Sequence, residues 1–351
     1  MAKGGTPSQG LWMPPRVATL FVAASDSLDK CRAQADYICD GVADEVQINA
    51  ALADLPAGGG RVVLSEGNFI LADPIIVPGD YITIEGQNFA TAIDGAGLAT
   101  GEHGIVISGI AGSKVKNLVI YTRGGGGKVC HCIFIEAAYD TTLVEDVAIV
   151  ESDSDGIHIE GTESDNIVIR GCWIASTDNH GINIVPDVTE QSLRFSIYNN
   201  FITATGASGI NFGQCVGHYY HKIYNNLMTS IGDNGIDYGI ATVPTFGLME
   251  SEIKDNYIYG AIANGIRLLS DSNNNFFENN FISSCGGYGI NIGGPTCINN
   301  RLMNNVLIGN VSGAAQDLGV GTQLPFIFIP VPNPSTNIGA HPAEQLTDDL
   351  E

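Results

Sequence analysis

Residues 156–160 read Gly156-Ile157-His158-Ile159-Glu160, and the opening of this pentapeptide returns along the chain. A Gly-Ile pair begins at Gly104, Gly156, Gly181, Gly209, Gly235, Gly265 and Gly289, with Cys132-Ile133 filling the second slot. Successive steps are 28, 24, 25, 28, 26, 30 and 24 residues. In an extended strand Ile157 and Ile159 share one face, while His158 and Glu160 share the other. The same alternation turns Asn183, Asn211, Asp237, Arg267 and Asn291 outward in successive repeats.

A second motif keeps step with the first: Asn200-Phe201-Ile202, Asn226-Leu227-Met228, Asn256-Tyr257-Ile258, Asn280-Phe281-Ile282 and Asn305-Val306-Leu307. One such coil is too short to bury its apolar side alone, so coils must stack along a common axis. Leucine-rich repeats have a similar period, but LxxLxLxxN and a helix per repeat are missing; propeller blades need roughly 40 residues each. The expected fold is all-β, a parallel β-helix solenoid. Asparagine pairs such as Asn199-Asn200 and Asn225-Asn226 suit its sharp turns, where stacked amides bond neighbouring backbone.

The flanks differ. Residues 17–24 read as a strand and 28–54 as a helix through Ile38, Val46, Ile48, Ala50 and Leu52, ended by Pro56-Ala57-Gly58-Gly59-Gly60. A helix there would cover the open end of the first coil. Further strands are expected at 69–71, 75–77 and 81–84. The resulting division is a flexible segment 1–16, a cap with first coils 17–103, coils carrying the candidate site 104–310, and a proline-rich capping or oligomerisation tail 311–351.

Asp+Glu number 38 against 15 Lys+Arg, a net charge of −23, which speaks against a nucleic-acid groove. No run of 18 apolar residues suggests membrane insertion, and the first fifteen residues hold no apolar signal core. The eight cysteines lack metal-knuckle spacing, and Cys130-His131-Cys132 reads as buried thiols rather than a zinc site. Gly124 to Lys128 lacks the P-loop arrangement.

The string CDGVADEVQINAALADLPAGGGRVVLSEGNFILADPIIV, residues 39–77, resembles the N-terminal module of the pectate-lyase-like right-handed β-helix superfamily, especially its phage tailspike and polygalacturonase-related branches. That resemblance implies a polysaccharide partner, hydrolysed, eliminated, epimerised or merely bound, and an extracellular or virion-associated setting. By analogy with tailspikes, the tail would support a homotrimer.

Chemistry is expected on the outward surface of residues 153–183. Glycoside hydrolysis needs a proton donor and a second carboxylate. Asp153 and Asp178 hold equivalent places one coil apart, roughly 5 Å. Asp155 and Asp178 are offset by a coil and two residues, roughly 8 Å, the inverting spacing and the preferred pair. His180 would tune the acid. His158, Glu160, Asn183, Asn211, Asp237 and Arg267 would bind substrate, Arg267 through an anionic substituent. The bland alternative is that these aspartates brace turns and the histidines are ordinary surface residues. Polygalacturonase-like motifs are only partly matched: Ser152-Asp153-Ser154-Asp155 and Thr177-Asp178-Asn179 are loose counterparts, His180-Gly181 is half a motif, and Arg267-Leu268-Leu269 lacks the lysine. Two other readings stay open. A Ca2+-assisted lyase or uronate epimerase would use Asp233 and Asp237, or the 153–178 carboxylates, as oxygen ligands. A carbohydrate adhesin or structural fibre would need no catalytic group, metal or other cofactor.

Overall fold

The structure is a computed structural model that describes residues 18–323, except 126, 139–140, 162–163, 188–190, 214–216, 239–246 and 270. The expected segments 1–16 and 325–339, and Cys215, lie outside the described residues.

Every described strand pairing is parallel, as coils stacked along one axis require. The Gly-Ile repeats form a ten-stranded sheet running from Ile75–Val77 through Ile133–Glu136, Ile157–Gly161 and Ile182–Pro186 to Gly313–Asp317. Their register is as the repeat spacing predicts: Ile133 opposes Ile157, Ile157 opposes Ile182, and Ile210 opposes Ile236. The last strand adds a rung beyond residue 310, where Ile290 opposes Ala315. A twenty-stranded sheet supplies the remaining faces, its strands including Val168–Arg170, Ser196–Tyr198, Trp173–Thr177 and Phe201–Thr205. A small three-stranded sheet joins Gln191–Leu193, Gly217–Tyr219 and Leu248–Met249. The inward isoleucines form one continuous core from Val22 to Leu302, each coil closing the apolar face of its neighbour.

The repeating glycine has a steric cause. A Cβ on Gly209 would stand 2.8 Å from the Gly235 carbonyl oxygen and 3.1 Å from Met228 Sδ. One on Gly156 would meet the Gly181 carbonyl oxygen at 2.8 Å. At these two rungs the next coil's backbone passes too close for a side chain.

Asparagines lock a corner between strands. Asn226 Nδ2 donates to the Ile197 carbonyl at 2.9 Å and to Asn256 Oδ1 at 3.0 Å, while Asn226 Oδ1 accepts from Asn200 Nδ2 at 3.0 Å. The ladder continues through Asn280 to Asn305. The residue before each ladder asparagine takes the left-handed turn conformation, with φ of 56° at Asn199 and 54° at Asn225.

The N-terminal end departs from the single helix expected over 28–54. Two short helices, Asp29–Arg32 and Glu45–Ala53, flank a strand Tyr37–Ile38 that pairs with Val22–Ala23. The intervening backbone is drawn to the sheet: Asp36 accepts the Phe21 N–H at 2.8 Å, and the Cys39 N–H donates to Ala23 at 2.9 Å. The longer helix buries Ile48, Ala51 and Leu52 in the first coils. Strands Gly67–Ile70, Ile75–Val77 and Ile82–Glu85 lie close to the expected positions.

Candidate functional site

The residue before each repeat glycine forms a column: His103, His131, Asp155, His180, Ser208, Asn234, Asn264 and Tyr288. Its members brace one coil on the next. The His131 N–H donates to His103 Nδ1 at 3.3 Å, the Asp155 N–H to His131 Nδ1 at 3.1 Å, the His180 N–H to Asp155 Oδ1 at 2.9 Å, and the Ser208 N–H to His180 Nδ1 at 3.1 Å. Nδ1 of these histidines is therefore an acceptor, leaving the proton of the neutral ring on Nε2. Burial lowers their pKa values, to about 4 at His103 and about 3 at His131, with His180 also lowered.

Asp155 is the exception in charge. Only 1% exposed, it accepts from Asn179 Nδ2 at 2.8 Å and Asn183 Nδ2 at 2.9 Å, in addition to the His180 N–H, and lies 2.6 Å from His158 Nδ1. Burial pushes its pKa up, but the His158 hydrogen bond, with His131 and Asn183, outweighs burial and the net shift is downward. At His158 burial pulls the pKa down, yet the bonds and charges of Asp155 and then Glu160 reverse that and leave it raised. His158 Nε2 faces Glu160 Oε2 at 3.1 Å. Its ring stacks on His131 with centroids 4.2 Å apart, next to Phe134.

Strand register places Glu160 directly beside Glu136. Both carboxylates point outward and are partly exposed. Glu136 Oε2 accepts from Ser108 Oγ at 2.8 Å. Adjacent rungs separate the two backbones by about 4.8 Å.

Apart from His180, which braces the column through the Ser208 N–H, the sequence-predicted residues divide into three groups. Asp155, His158, Glu160 and Asn183 meet in one network, extended by Asn211 Nδ2 donating to Asn183 Oδ1 at 2.8 Å. Asp153 and Asp178 share the expected register, through the Ser152–Thr177 bridge, but bind elsewhere: Asp153 accepts the Gly124 N–H at 2.9 Å, and Asp178 pairs with Arg123 at 2.8 Å. The preferred Asp155–Asp178 pair thus consists of a buried carboxylate whose oxygens are already engaged and an exposed one held by an arginine. Asp237 and Arg267 form a bidentate pair at 2.8 and 2.6 Å on the rungs farther along the ladder from His158. Sequence reasoning set His131 aside and passed over His103, Arg123 and Glu136. Glu136 was accessible in principle, because Ile133-Phe134-Ile135-Glu136 copies the alternation of Ile157-His158-Ile159-Glu160.

His131, Asp155 and His158 offer donor atoms within 4.8 Å of one another, the proximity of a metal site. The donors fit poorly. His131 Nδ1 holds a backbone N–H, Asp155 is saturated with donors, and His158 faces a carboxylate at each nitrogen. Two nitrogens also disfavour Ca2+, which takes oxygen ligands. The carboxylates expected to hold it are committed too: Asp237 to Arg267 and Asp178 to Arg123.

No protein-family model matches the chain, and no curated protein resembles it in sequence. Solved structures do resemble it in shape. An alginate lyase from Paenibacillus sp. superposes with a TM-score of 0.59 at 14% identity, over 86% of this chain and 99% of the lyase. The ORF18 protein of Geobacillus virus E2 gives 0.56 at 15% identity, over 81% of this chain and 58% of that one. The catalytic unit of a GH87 α-1,3-glucanase from Streptomyces thermodiastaticus gives 0.52 at 15%, over 81% and 67%. The chain therefore spans little more than half of the viral protein it resembles. At these identities the likeness is one of architecture: the chain is a right-handed parallel β-helix of the kind found in pectate-lyase-like and tailspike proteins.

Proposed function

We propose that the chain is a polysaccharide-degrading glycoside hydrolase of the tailspike depolymerase kind, with Glu136 and Glu160 as its paired carboxylates. The observation that carries this reading is their juxtaposition on adjacent rungs, one of them bonded to a histidine that a buried aspartate orients. A backbone spacing of about 4.8 Å suits the roughly 5 Å separation of retaining enzymes, in which one carboxylate attacks carbon and the other protonates the leaving oxygen. Glu160 accepts from His158 and takes the attacking role. Glu136 takes the proton-donor role. Asp155 positions His158 without touching substrate, the buried Asn183 braces Asp155 in turn, and the partly exposed Asn211 extends the polar strip along which successive sugars would lie.

Elimination or epimerisation is the second reading, favoured by the likeness to the alginate lyase. Both reactions need the charge of a uronate neutralised. On the outward ladder from Phe134 to Asn291 the one permanent cation among the described residues is Arg267, roughly 19 Å from His158 and already paired with Asp237. That spacing favours hydrolysis. A non-enzymatic adhesin would show no turnover at all. A polysaccharide substrate agrees with an extracellular or virion-associated setting, and a homotrimer remains part of the proposal. Among the described residues no helix is long and apolar enough to cross a membrane.

The test is product analysis on a polysaccharide panel. Hydrolysis yields new reducing ends without unsaturation, and NMR should show retained anomeric configuration. Glu136→Gln and Glu160→Gln should each lower kcat by about 10²- to 10⁴-fold while preserving the thermal melt. Full turnover in both variants would reject the pair.

A further inference from the structure

We infer that the chain carries a second, non-catalytic sugar-binding cleft on the twenty-stranded sheet, formed around Phe89 and Trp173. The cleft has a volume of about 360 Å³ and is lined by Asn88, Phe89, Leu118, Asp146, Ala148 and Trp173, among others. It is built on a different sheet from the one that holds His158 and Glu160. This volume falls within the range of small-ligand sites.

Two large apolar rings stand at its rim where water would otherwise meet them: Phe89 is 69% exposed and Trp173 47%. They meet edge to face, centroids 6.2 Å apart and planes at 73°, so they make two nearly perpendicular apolar walls. Beside them the cleft is lined by a small side chain, because Ala148 opposes Trp173 in register. Polar groups sit at the margin. Asp146 adopts a left-handed turn, φ 52°, and its Oδ1 lies where a Cβ on Gly171 would stand only 2.1 Å away. Glycine at 171 is what leaves room for that carboxylate.

A pyranose matches this combination. Its C–H face is apolar and packs on aromatic rings, while its rim hydroxyls donate to a carboxylate and an amide. The occupant should be a neutral sugar. Asp146 in the cleft and the net charge of −23 on the chain both repel a uronate. The inference borrows only the polysaccharide class from the proposed function and does not need the catalytic pair.

The experiment titrates the full chain carrying Glu160→Gln with maltohexaose, cellohexaose and, as an anionic control, oligomannuronate. Trp173 emission and calorimetry are read together; Trp12 is the only other tryptophan. A neutral hexaose should shift the emission saturably, and Phe89→Ala should weaken that binding at least tenfold. Phe89 is exposed enough for its removal to spare the fold, and Trp173→Ala followed by calorimetry supplies a second check. Unchanged emission with both neutral sugars, equal binding by Phe89→Ala, or tighter binding of oligomannuronate would each overturn the cleft. Turnover by Phe89→Ala in the otherwise unaltered chain keeps the two ideas apart: failure of the cleft leaves hydrolysis intact, and failure of the carboxylate variants to lose activity leaves the cleft intact.

Discussion

Asp155 shows how one side chain serves both the stack and the chemistry. As a member of the column before the repeat glycines it braces His180, just as His131 braces Asp155. As an anion it raises the His158 pKa against the pull of burial. A raised histidine pKa holds the proton to higher pH than an ordinary imidazole does and loses it as pH rises through the shifted value. If catalysis needs protonated His158 beside Glu160, kcat/KM should fall on the alkaline side of that value. Asp155→Asn removes the charge and keeps the shape, so the alkaline limb should move to lower pH. A pH–rate profile of the variant with an unmoved limb would separate Asp155 from the chemistry and leave it a purely structural brace. His180, by contrast, is tied to the Ser208 backbone through Nδ1 and pulled down by burial. Its role as tuner of an acid has no support from that geometry.

At the scale of the element, the asparagine ladder is what makes each corner specific. Asn226 satisfies the Ile197 carbonyl and links Asn200 to Asn256, all buried. Asn226→Ala would strand several buried polar groups at once. Each costs about 1–3 kcal/mol, and partial relaxation by water should hold the total to roughly 3–5 kcal/mol. Urea unfolding monitored by far-UV circular dichroism checks this. A loss below about 1 kcal/mol would mean that the ladder is decoration on coils held by isoleucine packing alone.

For the whole molecule, acid should be the weak side. His103, His131, His218 and His221 all have pKa values depressed by burial, to about 4, 3 and 4 at the first three and well below the ordinary value at His221. In the unfolded chain they titrate near 6.5. The unfolded state therefore binds more protons between those limits. Stability is fully present above about pH 6.5 and is lost as pH falls toward 4. His158 opposes this in part, because its raised pKa favours the folded state at low pH. Thermal melts at pH 7.5 and 5 should show a clear drop at the lower pH, and equal melting temperatures would contradict the burial of these rings. The stacked architecture was open to reading because its signals are local and repeated: a glycine forced by the next coil's carbonyl, alternating isoleucines, and asparagines at left-handed corners recur every 24–30 residues. The broken N-terminal helix was not, since Asp36 and Cys39 are captured by a strand fifteen or more residues earlier in the chain. The register also followed from spacing, and with it the ladder that carries His158, Asn183, Asn211, Asp237 and Arg267. Spacing could not tell which carboxylates remain open. That depends on where each side chain finds its partners across coils: Asp155 is enclosed by His158, Asn179 and Asn183, Asp178 is taken by Arg123, and Glu136 and Glu160, bonded to Ser108 and His158, still face outward side by side with partly exposed carboxylates.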